Sequence, residues 1–66
     1  MTEILQHQEL GDRLLKASDV SRILNISRAM AYKLMRQRKI PTVHIEGARR
    51  VRPTDLREYI RQNLTS

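Results

Sequence analysis

Between Ser18 and Leu24 the apolar residues Val20, Ile23 and Leu24 fall at the i, i+3, i+4 spacing that gathers side chains on one side of a helix. Ser18 is a candidate N-cap, and the spacing predicts a first helix of about two turns. Asn25 tolerates the left-handed conformation better than most residues, so the chain is expected to reverse there, with Ile26 returning toward the core. Ser27 is the next candidate cap. It opens a second helix, predicted through about Arg38, that places Ala31, Leu34 and Met35 on one face and Arg28, Tyr32, Lys33 and Arg36 on the other. Pro41 bars its continuation, because the residue before a proline is pushed toward extended geometry.

After this proline the period changes from helical to alternating. Residues 42–45 and 49–52 flank Glu46-Gly47-Ala48, the signature of a short β-hairpin. Val43, Ile45 and Val51 are expected to face inward, and His44, Arg50 and Arg52 outward. Pro53 suits the first turn of a third helix and Asp55 suits its positive end, with Leu56, Tyr59, Ile60 and Leu64 as the expected buried stripe. Residues 1–13 show no sustained period and Gly11-Asp12 reads as a turn. They are expected to form an arm or short extra element ahead of one domain over residues 14–66.

Composition narrows the chemistry. A chain of 66 residues has room for one small domain. It contains no cysteine, which excludes a disulfide framework, a thiolate metal site and a cysteine nucleophile. No apolar run is long enough to span a membrane, and no signal peptide is visible. The 13 Lys and Arg outnumber the 7 Asp and Glu, for a net charge of +6. Residues 1–26 contribute three basic and four acidic side chains, whereas residues 27–66 contribute ten and three. The positive field therefore belongs to the part that begins with the second helix, and a polyanion is the partner it suits.

Helix, tight turn, helix, hairpin with an arginine-rich second strand, then a closing helix is the order of a winged helix-turn-helix. The fold class is thus mainly α with a small β-hairpin. Residues 15–62 resemble the small excisionase-type, MerR-like DNA-binding domains, through SDVSRILNIS, RAMAYKLMRQRKIP, HIEGARRVR and PTDLREYI. The resemblance implies Ser21 at the helix crossing, Asn25 at the turn, and Ala31 and Leu34 on the buried face of the recognition helix. Two positions depart from the family pattern. Ser21 stands where alanine is usual, so its hydroxyl needs a carbonyl partner or an edge position. Arg38 stands where glycine is usual, so the helix is expected to end differently.

A helix fits the major groove of B-DNA, where Arg or Lys can donate to guanine O6 and N7. Arg28, Lys33 and Arg36 are spaced to enter one groove together, and Tyr32 can donate to a phosphate or pack on a thymine methyl, unless it is only a half-buried surface tyrosine. Ser27 marks a positive helix end suited to a phosphate, or is a cap alone. In the hairpin, Gly47 permits close approach to a backbone, and Arg49, Arg50 and Arg52 form the expected phosphate or minor-groove contacts. Arg49 and Arg52 have the alternative of pairing with Glu46 or Asp55. His44, Arg57 and Arg61 are read as solvent-facing.

Catalysis is disfavoured, because His7 and His44 are the only histidines and no nucleophile, carboxylate pair or metal set accompanies them. No cofactor and no small-molecule substrate is expected. Tyr32 and Tyr59 are too few for a base-stacking platform, which argues against single-strand or RNA binding. Double-stranded DNA is the expected partner. A module with three or four base contacts needs adjacent copies or a partner protein to find one site in a genome. The resemblance implies an architectural role that bends DNA beside a recombinase (integrase), in the bacterial cytoplasm and of phage or mobile-element origin. A small transcriptional regulator of MerR-like or AlpA-like type is the alternative.

Overall fold

The computed structural model describes residues 13–65, and the expected N-terminal arm therefore lies almost wholly outside the described residues. Three helices and one hairpin follow in order: α1 (Ala17–Leu24), α2 (Arg28–Arg36), β1 (Val43–Ile45), β2 (Ala48–Arg50) and α3 (Pro53–Gln62). This is the winged helix-turn-helix order that the sequence predicts.

α1 starts one residue before Ser18. Its N-cap is Lys16, whose backbone N–H donates to the Asp19 carboxylate at 2.9 Å, and Ser18, the expected cap, lies inside the first turn instead. Asn25 closes the helix in the left-handed region (φ 58°, ψ 47°), as its short polar side chain allows. Ser21 directs its hydroxyl to the Ser18 carbonyl at 2.8 Å, the carbonyl partner that a serine in this helix needs. Ser27 caps α2 by accepting from the Met30 N–H at 3.0 Å.

α2 ends two residues earlier than the pattern suggested, and it ends as if Arg38 were glycine. Arg38 takes φ 59°, its N–H donates to the Met35 carbonyl, and the Lys39 N–H donates to that of Leu34. These two bonds form a Schellman motif with arginine in the left-handed position. The expectation of a different ending is corrected: the usual geometry is kept and the backbone carries the strain. Because a Cβ is disfavoured there, Arg38→Gly should stabilise the domain by about 0.5–1 kcal/mol, against the extra freedom glycine gives the unfolded chain. A thermal melt of the two proteins checks this, with a Tm several degrees higher expected for the variant.

The hairpin turns through Glu46 (φ 46°) and Gly47 (φ 90°), the two successive positive values of a type I′ turn. Its register pairs Val43 with Arg50, His44 with Arg49 and Ile45 with Ala48. Residues directly opposite share a face, so Arg50 lies on the Val43 and Ile45 side, and the expectation that Arg50 points away from them is corrected. The turn consumes two residues where three were counted, and that shifts the second strand by one. Beyond the ladder, Val51 and Leu15 exchange backbone hydrogen bonds of 2.8 and 2.9 Å, joining the segment before α1 to the wing.

The core comprises Ala17, Val20, Ala31, Met35, Ile40, Val51 and Leu56, with Leu15, Leu24, Ile26, Leu34 and Tyr59 packed on it. Three expected core residues lie outside it: Ile23 is 55% exposed, Ile60 42% and Leu64 77%, and Ile45 is also exposed. In α3 only Leu56 and Tyr59 reach the core, because a ten-residue helix laid against so small a body turns most of its stripe past the edge.

Candidate nucleic-acid interface

α2 presents two polar stripes. At about 100° per residue, Arg28, Tyr32 and Arg36 run along one side of the helix at i, i+4, i+8, while Lys33 lies roughly 160° from both Ala31 and Met35, the residues buried beneath. The helix is nine residues long, about 13 Å, a length comparable with the ~12 Å width of the B-DNA major groove. Arg28, Lys33 and Arg36 are exposed, and Tyr32 is 44% exposed with its ring beside the two arginines.

The first of these stripes faces the wing. An open groove of about 510 Å³ is lined from α2 by Arg28, Tyr32 and Arg36 and from the hairpin by Gly47, Arg49 and Arg50. Six of the nine residues singled out from the sequence thus meet in one concavity. Lys33, Ser27 and Arg52 do not line it. Sequence reasoning missed a third contributor, the start of α1, where Lys16 and Ser18 also line the groove. The only local signal was a lysine just ahead of a helix. Its approach to the wing depends on the Leu15–Val51 bridge, which no local pattern announces.

The charges are sorted between this surface and the rest. Among the described residues, Asp19 pairs with Arg22, Asp55 with Arg52 and Glu58 with Arg61, each at i, i+3. The Asp19 carboxyl is held below its ordinary value chiefly by the Lys16 backbone N–H, then by Arg22. The Arg61 guanidinium does the same for Glu58 through its hydrogen bonds. Arg52 donates to Asp55 from Nε at 2.7 Å and from a terminal nitrogen at 3.1 Å, which raises its own pKa further. Arg52 is thus engaged at the start of α3, the pairing its sequence position had left open. Exposed pairs of this kind contribute little to stability. Arg28, Lys33, Arg36, Arg49 and Arg50 form no ion pair among the described residues, and Glu46 at the wing tip, the alternative partner of Arg49, pairs with none of them. Arg50 instead donates to the Arg49 carbonyl at 2.9 Å, which braces its side chain along the strand.

A helix with an outward lysine, an arginine-bearing wing and an uncompensated cationic groove between them define a small winged helix-turn-helix DNA-binding domain. The comparisons with known proteins agree: a family described as a helix-turn-helix domain matches residues 14–64. A protein from Streptomyces ambofaciens named Excisionase is 40% identical over 52 residues, which cover 77% of this chain and 82% of that protein. The chain belongs to the excisionase-type family of small helix-turn-helix DNA-binding proteins. No solved structure matches it. No helix among the described residues is long and apolar enough to cross a membrane.

Proposed function

We propose that the protein is a recombination directionality factor, binding double-stranded DNA as adjacent copies beside an integrase-type recombinase and bending it. The observation that carries the reading is the groove between α2 and the wing. If α2 occupies a major groove and the hairpin reaches the neighbouring minor groove, the sugar-phosphate strand dividing the two must pass between them. Arg28, Tyr32, Arg36, Arg49 and Arg50 line that passage, with Lys16 at its end. These side chains suit phosphate positioning, Gly47 lets the wing tip come close to the duplex, and Ser27 sets the positive end of α2 toward a phosphate. Lys33, outward from the core, is left to read base edges. Arg52, tied to Asp55, steadies the wing's exit and is available to a phosphate only at its solvent side. The relative named Excisionase supports the recombination role.

Footprinting of the purified protein on DNA flanking a recombination junction, combined with a bend assay, tests the role. Several phased sites, bend-dependent mobility and a recombinase footprint strengthened by the protein are expected. One unbent site over a promoter would assign the protein to transcriptional regulation instead.

A further inference from the structure

A second groove, of about 560 Å³, opens between α1 and α3 and shares no lining residue with the first. Its lining mixes apolar side chains, Leu15, Ile23, Leu56 and Ile60, with the cations Arg13 and Arg57 and with the Asp19–Arg22 ion pair, in which Arg22 offsets the carboxylate. Ile23 and Ile60 are among the expected core residues that the described fold leaves half exposed. Arg13 and Arg57 form no ion pair among the described residues. The surface is therefore apolar at its floor and positive at its edge, and a nucleic acid does not suit it.

The residues that precede Arg13 have the opposite character. Residues 1–12 carry Glu3, Glu9 and Asp12 with no Lys or Arg, and they carry the apolar side chains Ile4, Leu5 and Leu10. We propose that this segment docks in the groove of its own chain, with Ile4 and Leu5 against Ile23 and Ile60 and its carboxylates beside Arg13 and Arg57. Three observations select this occupant over a second copy. Arg13 lines the groove, so the segment starts at the site it would fill. Seven residues separate Leu5 from Arg13, and these eight Cα-to-Cα steps give a reach of up to about 28 Å. The covalent connection gives an effective concentration in the millimolar range, which a free copy reaches only in crowded solution. The acidic segment also has an alternative within the molecule, the cationic groove at α2. Ile4 and Leu5 would find only Ala17, Ala48 and the Tyr32 ring as apolar partners there, and no large aliphatic side chain. The inference stands independently of the recombination role and accounts for the apolar edge of α3.

The absence of cysteine from the chain makes the test direct. In the full-length protein, Gln6→Cys carries a nitroxide and amide line broadening is read across the domain. Broadening should be strongest at Ile23, Arg57 and Ile60 and weaker at Lys33 and Gly47. It should be absent when tagged, unlabelled protein is mixed with untagged, isotope-labelled protein. The double substitution Ile4→Ser, Leu5→Ser should abolish the gradient while leaving the circular dichroism of the helices intact. Broadening centred on Arg28–Arg36 and the wing would overturn the proposal in favour of a cover over the DNA groove. Broadening in the mixed sample would overturn it in favour of a second copy. A uniform, weak effect, or a gradient that survives the serine variant, would show that the segment does not dock through Ile4 and Leu5.

Discussion

Met35→Ala should unfold much of the protein at 37 °C. Met35 is fully buried near the C-terminal end of α2 and belongs, among the described residues, to a core of seven buried residues, four of which are the large side chains Val20, Met35, Ile40 and Val51. Truncating a buried methionine removes its transfer free energy and leaves a cavity, together about 2–5 kcal/mol. A domain of this size has little more than that in total, since native stabilities run at roughly 0.05–0.15 kcal/mol per residue. Helical circular dichroism should fall and DNA binding should disappear with it. Lys33→Ala, two residues earlier on the outward side of the same helix, should keep the circular dichroism and lose only affinity and base preference. The opposite outcome, a folded Met35→Ala and a melted Lys33→Ala, would mean that α2 is rotated about its axis and that the cationic stripe does not face outward.

DNA affinity should fall about 10³-fold between 50 and 200 mM salt. If the groove and the adjoining cations neutralise about six phosphates per copy, log K declines with log salt at a slope near −5, because each neutralised phosphate releases condensed counterion. Arg50→Ala should reduce this slope by about one and weaken all sequences alike. Lys33→Ala should instead relax the preference at one base position, a discrimination of about 1–3 kcal/mol. Binding that does not respond to salt would remove the nucleic-acid reading, and identical, uniform losses from the two substitutions would mean that α2 holds phosphates only.

The parts of this fold that were legible in the sequence are those governed by neighbours. Ser27, Asn25 and Pro53 each act on their own backbone or on that of the next turn, and each is found where its chemistry placed it, whereas Pro41 does not end α2, which has already closed at Arg36 through the turn at Arg38. The alternation across the hairpin was also visible, but its phase was not, because phase depends on whether the turn takes two residues or three. Ile40 escaped notice for a related reason: a lone isoleucine before a proline belongs to no periodic face, and only the Schellman turn at Arg38 folds it under α2. Ile23, Ile60 and Leu64 show the converse. Periodicity identifies the stripe of a helix but not how far the body beneath it extends. At the candidate interface, the residues of α2 and the wing could be named from charge and spacing, whereas Lys16 and Ser18 reach it through a pairing between distant segments.

That pairing also bears on how the molecule assembles. Leu15 and Val51 are 36 positions apart, and two backbone hydrogen bonds join them. Bringing such ends together costs about 3 kcal/mol of chain entropy beyond a constant term, which is recovered only when the core between them has formed. The helix-turn-helix has mostly local contacts and is the part suited to form early, while closure of this long loop belongs late in folding. The wing is therefore not an appendage that can be exchanged or lost by itself. A graft or deletion there would release the strand that fixes the start of α1, and with it the third contributor to the groove.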